Sequence, residues 1–336
     1  MGSAVRRRRW AGPPPLLVLA TVLAFVIAPV LSRPDTGHAS EGGGQDSRAA
    51  LASSGLVELP PIGPRPPARV GKVIERSDLL GVVTMNQYRQ LSISQAQRDA
   101  RFVTSRTRVD VVGWQESQRF GAVFADLRQR GWGTRRFPNG AKELAISWRR
   151  SRFEYVSSSS RLVAYGVDEV TGRYPFGHRY IIRVTLRHRE TGRKLSVINT
   201  HLPHKIENRD RPGRWTTTSN AARARFQLER MTREWQQAPG RWVVGTGDYN
   251  FDARADRREG LRRAPAKALA RVATSSYAVL GGRDLLPTHP PTGRLIDYVH
   301  AANSDLKAGH IRFLGHRTFS GLNSDHRPLL VSLELR

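Results

Sequence analysis

Ser324-Asp325-His326-Arg327-Pro328 stands directly before the apolar run Leu329–Leu333, at the end of a 336-residue chain. An acid and an imidazole at a loop-to-strand boundary form a titratable pair whose side chains a sheet would hold rigidly. Upstream, Asp297 lies inside the apolar run Leu295–Val299. A carboxylate buried there needs a hydrogen-bond or charge partner, and Asp325-His326 offers one. That pairing ties two distant segments to one place in the fold.

Further upstream the chain alternates apolar runs with helical or loop segments. Runs suited to buried strands are Leu79–Thr84, Val109–Trp114, Leu144–Trp148, Tyr180–Leu186, Leu195–Ile198 and Trp242–Gly245, besides the two already named. Ser219 is the expected cap of a helix through Gln237, with Ala222, Phe226, Met231 and Trp235 along its core side. No internal repeat is evident. The pattern predicts an α/β domain from about residue 77 to 336.

Several runs end in polar clusters: Asn86, Gln115-Glu116, Asn199-Thr200-His201 and Gly247-Asp248-Tyr249-Asn250. Strand ends are where sheets present functional groups to open loops. Each cluster alone also has a plain structural reading. Asn86 suits a turn, Glu116 suits the first turn of a helix, and His201 suits a satisfied buried histidine. Asp248 and Asn250 are common turn residues, although side chains at i and i+2 of an extended chain point the same way. The set carries more weight than its members.

Taken in order, Thr84-Met85-Asn86, Gln115-Glu116, Asn199-Thr200-His201-Leu202, Gly247-Asp248-Tyr249-Asn250, Ile296-Asp297-Tyr298-Val299 and Ser324-Asp325-His326-Arg327-Pro328-Leu329 resemble the DNase I-like endonuclease/exonuclease/phosphatase family. The resemblance spans roughly residues 77–336. It implies a four-layer α/β sandwich of two packed mixed β-sheets flanked by helices, with the active site at one end. It also implies a metal-dependent phosphodiester hydrolase. Glu116 and Asn86 then correspond to Mg²⁺ ligands, with Mn²⁺ or Ca²⁺ as alternatives, and Asp325 to a further ligand. Asp248 would orient or deprotonate the attacking water, with Asn250 beside it. His326, oriented by Asp297, would donate to a phosphate oxygen or act as the base, and His201 would add a second hydrogen bond to phosphate. The choice of base between Asp248 and His326 stays open.

The sequence departs from the family's usual pattern at Met85, where an aromatic residue is more usual before the first Asn. It departs from inositol-phosphatase relatives at Phe251-Asp252, where they tend to have an aromatic residue and Arg, and in lacking their cysteine-containing motif. The chain has no cysteine at all, which excludes disulfides and thiolate metal sites and leaves O and N ligands.

The formal net charge is +27, and residues 1–50 hold only six Arg against three acids. The basic excess therefore belongs mostly to the remainder, where it suits a polyanion. Only six of the cations are Lys, so codon bias toward Arg is the competing explanation. Basic stretches 205–214 and 254–263 follow two of the motifs. Nucleic acid is the leading substrate expectation. The alternatives are a sphingomyelinase-like phosphodiesterase acting on a phospholipid headgroup, with Tyr174-Pro175-Phe176 as a meagre membrane hairpin, and an inactive exported anion-binding module.

At the N-terminus Arg6–Arg9 precede the uncharged apolar run Leu16–Leu31. Residues 1–32 read as a signal peptide or a single N-terminal anchor, which places the rest outside the cell or on its surface. Residues 33–76 are rich in Pro and Gly and read as a linker with too few apolar groups to offset the entropy of ordering. The catalytic domain is expected to act as a monomer.

Overall fold

The computed structural model describes residues 74–165, 177–259 and 264–336. The signal or anchor segment, nearly all of the linker, the Tyr174–Phe176 hairpin and part of the 254–263 stretch lie outside the described residues. Among the described residues no helix is long and apolar enough to cross a membrane.

Twelve strands form two six-stranded sheets. The first contains β1 (Leu79–Asn86), β2 (Val111–Gln115), β3 (Trp132–Arg136), β4 (Ala145–Arg149), β11 (Ile311–Thr318) and β12 (Leu329–Leu335), in the order β11-β12-β1-β2-β4-β3. The second contains β5 (Phe153–Ala164), β6 (Arg179–His188), β7 (Lys194–His201), β8 (Trp242–Asp248), β9 (Ala273–Ser275) and β10 (Asp297–Ala302), in the order β5-β6-β7-β8-β10-β9. Each sheet is mixed, with one central parallel pair: β1 with β2, and β7 with β8. All eight apolar runs overlap strands. The four strands that no run predicted, β3, β5, β9 and β11, are the four sheet edges. An edge strand is polar to discourage further pairing, as in Ser157–Ser160 of β5, so it lacks an apolar signature.

The sheets pack face to face. Val82, Val111, Ile146 and Val331 from the first share one core with Val184, Val197, Val244 and Val299 from the second. The sheets approach so closely at Gly113 that a Cβ there would stand 1.9 Å from Thr246 Oγ1. Beside it, Asn199 stitches the layers together: its Nδ2 donates to the carbonyls of Trp114 and Ala145 at 2.8 and 3.1 Å, and its Oδ1 accepts from Gln115 Nε2 at 2.7 Å.

Helices α1 (Ile93–Thr104) and α2 (Gly121–Gln129) cover the outer face of the first sheet with Ala96, Val103, Phe124 and Leu127. Ser92 starts α1 with a capping box to Gln95. Helix α3 (Ser219–Gln236) covers the second sheet. Its cap is Thr218, whose side chain accepts from the Ala221 amide, so Ser219 is the first helical residue and not the cap. Its buried face is Ala221, Ala224, Leu228, Met231 and Trp235, while Ala222 and Phe226 face solvent. Nine residues at about 100° each set Ala222 opposite Met231, so the expected stripe could not lie on one side. Short helices α4 (Ala253–Glu259), α5 (Pro265–Leu269), α6 (Ser276–Leu280) and α7 (Asn303–Lys307), with the 3₁₀ turns Arg76–Asp78 and Pro290–Thr292, complete the described secondary structure. Helix, sheet, sheet and helix make the four-layer sandwich.

Candidate active site

The topology brings the motif residues together. Asn86 ends β1, Glu116 follows β2, His201 ends β7, and Asp248 ends β8. Strand β10 runs antiparallel to β8, so its first residue, Asp297, sits opposite Asp248 in the ladder. Strand β12 runs antiparallel to β1, so the loop carrying Asp325 and His326 enters at the same end. Asn86, Glu116, His201, Asp248, Asn250, Asp325 and His326 all line one cleft of about 640 Å³. Asp297 lies fully buried behind His326.

Asp248 is the hub. Its Oδ2 accepts from Asn86 Nδ2 at 3.0 Å and lies 3.4 Å from His201 Nε2 and 3.7 Å from His326 Nε2. Its Oδ1 accepts the Asn250 amide at 2.8 Å. Behind each imidazole stands a carboxylate. Asp297 Oδ2 is 2.8 Å from His326 Nδ1, and Glu143 Oε2 is 2.9 Å from His201 Nδ1. The second pair continues inward, where Arg179 Nη1 donates to Glu143 Oε1 at 3.2 Å.

Charge follows from this geometry. Burial disfavours a charged His326, yet the Asp297 carboxylate and its hydrogen bond, with Asp248, push the imidazole up to about 10. Burial likewise opposes charge on His201, and Glu143 and Asp248 raise it to about 9. Burial alone would raise Asp248, but the hydrogen bond and charge of His201 and the charge of His326 hold it well below the usual carboxylate range. These contacts favour an anionic Asp248 between two protonated imidazoles, while burial pushes Asp297 itself up.

Glu116 follows β2 in the left-handed region, with φ 55°, and accepts the Arg89 amide on Oε2 at 2.9 Å. Tyr88, Lys205 and Asn250 also have positive φ, and all four residues line the cleft. Such backbone costs about 1–3 kcal/mol per residue and persists where the surroundings over-determine it. Asn86 spends Nδ2 on Asp248 and one lone pair of Oδ1 on the Tyr88 amide. Its expected ligand role rests on the remaining lone pair. Asp325 stands 3.7 Å from His289 Nε2, and its Oδ1 is buried with no hydrogen-bond partner. A carboxylate at the cleft wall, an orphaned carboxylate oxygen and an all-O/N donor set fit a divalent cation. Two groups, Asp248-Asp297-His326 and His289-Asp325-His326, place ligand atoms within 4.8 Å of one another.

Glu143, Arg179 and His289 were not evident from sequence. Glu143 shows there only as an acid before the run Leu144–Trp148, and Arg179 as a basic residue before Tyr180–Leu186. Nothing local marks them as partners.

No protein-family model matches the sequence, and no curated protein matches it. Among solved structures, the chain is similar to TDP2 of D. rerio complexed with single strand DNA product, at 17% identity over 76% of this chain and 99% of that one, with TM-score 0.55. It is similar to an endonuclease/exonuclease/phosphatase from Bacteroides vulgatus, at 18% identity over 77% and 99%, with TM-score 0.55. It is also similar to the mannosyl-6-phosphatase of Bacteroides thetaiotaomicron, at 17% identity over 76% and 99%, with TM-score 0.51. Likeness at these identities is likeness of fold. The chain has the DNase I-like fold of endonuclease/exonuclease/phosphatase proteins.

Proposed function

We propose that this chain is an exported, divalent-metal-dependent phosphodiesterase that hydrolyses nucleic acid. The observation that carries the reading is the convergence of two carboxylate–imidazole pairs on one buried Asp248, beside Glu116 at the wall of an open cleft.

A metal ion held by Glu116 and Asn86, when bound, supplies Lewis-acid stabilisation to a phosphoryl oxygen. The protein groups do the rest by position and charge. Asp248, fixed by Asn86 and the Asn250 amide, accepts a hydrogen bond from the attacking water and aims it at phosphorus. A carboxylate held so low orients water better than it removes a proton. His326 and His201, both charged, donate to the phosphate oxygens where negative charge builds. Asp297 and Glu143 keep them charged and aligned. This division favours Asp248 over His326 as the group facing the nucleophile.

Nucleic acid is favoured by Arg89, Lys205, Arg209 and Arg294 along the cleft and by the net charge of +27. The neighbour solved with single-strand DNA product supports the same class. The basic n-region and apolar run at residues 6–31 support export.

Plasmid nicking, sphingomyelin hydrolysis and sugar-phosphate hydrolysis should be compared with Mg²⁺, with EDTA, and with Glu116→Gln and His326→Ala. Mg²⁺-dependent nicking lost in both variants is expected. Nicking that survives both substitutions overturns the site. Hydrolysis of lipid or sugar phosphate without nicking overturns the substrate.

A further inference from the structure

His289 lines the cleft with His201, His204 and His326 and has no part in the chemistry above. Its Nδ1 lies 2.7 Å from Thr292 Oγ1, within the turn Pro290–Thr292. That contact settles the ring and leaves Nε2 turned toward Asp325 Oδ2, at 3.7 Å. The separation is too long for a hydrogen bond. Two ligands of one dication at about 2.1 Å stand roughly 3.0–3.5 Å apart, so a shift of a few tenths of an ångström would fit them to a shared ion. The second imidazole is His326, whose ring centroid is 4.8 Å from that of His289. His326 spends Nδ1 on Asp297 and keeps Nε2 toward the cleft.

We propose that His289 Nε2, Asp325 and His326 Nε2 form a transition-metal site at the cleft wall, so that Asp325, expected beside Glu116 and Asn86, serves this nitrogen-containing site and leaves the oxygen site to those two residues. Three features support it. The three donors lie within 4.8 Å of one another. Asp325 Oδ1 is buried and satisfied by no protein group. Each imidazole has its other nitrogen oriented by an oxygen, Thr292 for His289 and Asp297 for His326, which is how metal-binding histidines are held. Two imidazoles and a carboxylate select a borderline ion such as Zn²⁺ or Co²⁺, whereas Mg²⁺ and Mn²⁺ prefer oxygen. An ion here takes the place of the Nε2 proton that Asp297 and Asp248 otherwise hold on His326, so its binding releases a proton and competes with a substrate phosphate for that position.

The test is metal binding to the full chain without substrate, so it stands apart from the choice of substrate. Zn²⁺ binding would be followed by calorimetry in saturating Mg²⁺, with Co²⁺ absorption reporting nitrogen ligands. One Zn²⁺ per chain is expected, weakened at least about tenfold in His289→Ala and in Asp325→Asn and unchanged in Glu116→Gln. Denaturant unfolding of each variant checks that it is folded. If His289→Ala is unfolded, Asp325→Asn and the Co²⁺ spectrum of the unmodified chain decide. Zn²⁺ binding that survives both substitutions, that is lost in Glu116→Gln, or that vanishes in Mg²⁺ overturns the site, as does a Co²⁺ spectrum without nitrogen ligation.

Discussion

Asp297 Oδ2 lies 2.8 Å from His326 Nδ1, and the two residues reach each other across 29 positions of chain. Asp297 is fully buried at the start of β10, opposite Asp248, and Tyr277 donates to its carbonyl at 2.7 Å. The backbone of Asp297 is thus anchored, and its Oδ2 holds His326 by Nδ1 so that Nε2 faces the cleft. On the proposed function His326→Ala removes a donor to phosphate, and it is expected to lower kcat by about 10²–10⁴. Asp297→Asn keeps the shape but not the charge and should fall in the same range. Steady-state hydrolysis on folded protein measures both.

The two raised imidazoles make a statement about stability. An unfolded histidine titrates near 6.5, whereas His201 and His326 are pushed up to about 9 and about 10. The contribution of a raised group is fully present below the unfolded value and is lost as pH rises through the folded one. Metal-free protein is therefore expected to lose stability between about pH 6.5 and 10. Glu143→Gln removes the charge behind His201 and should lower that histidine's titration, shrinking the loss. Urea unfolding in EDTA across this range, for both proteins, tests it; a flat profile for the unmodified chain would contradict it.

Asp99, on α1, holds the loop that carries Asp325 and His326. Its carboxylate accepts the Asn323 and Ser324 amides at 2.9 Å and Asn323 Nδ2 at 2.6 Å. Ser324 Oγ in turn donates to the Asn86 carbonyl and accepts the His326 amide. Asp99→Ala should cost about 1.5–3 kcal/mol, the range for a hydrogen bond to a charged group. Activity should fall with it because His326 loses its seat. Denaturant unfolding and kcat together check the pairing of effects.

If the substrate is nucleic acid, affinity must fall with salt. The logarithm of the binding constant should decline linearly with the logarithm of salt concentration. Lys205→Ala and Arg209→Ala, on the loop beside His201, should each reduce that slope by about 1. Fluorescence anisotropy with a labelled oligonucleotide in Ca²⁺ or EDTA measures it without turnover. An unchanged slope in both variants would place the polyanion elsewhere.

Much of the fold was legible because buried strands carry apolar runs. All eight such runs lie on strands, and the polar residues that end them do gather at one end. The four edge strands were not legible, because an edge has solvent on one side. The buried face of α3 was misread through Ala222 and Phe226, since helical spacing, and not mere recurrence, decides which residues share a side. Glu143 and Arg179 were invisible for another reason. The signal of Glu143 is its contact with His201, and that of Arg179 its contact with Glu143; contact between segments 58 positions apart, as for Glu143 and His201, leaves no trace in local pattern.

The sequence by itself determined the residue types that chemistry needs and the strand ends on which they sit: Asn86, Glu116, His201, Asp248 and Asn250, with Asp297 at the start of its strand and Asp325-His326 before the last one. Local hydrophobic pattern is enough to set those places. The Asp297–His326 pairing was already expected; only the tertiary structure decided that Glu143 stands behind His201 and that His289 faces Asp325. Those pairings depend on how β7, β8, β10 and β12 are threaded through two sheets, and threading is a property of the whole chain.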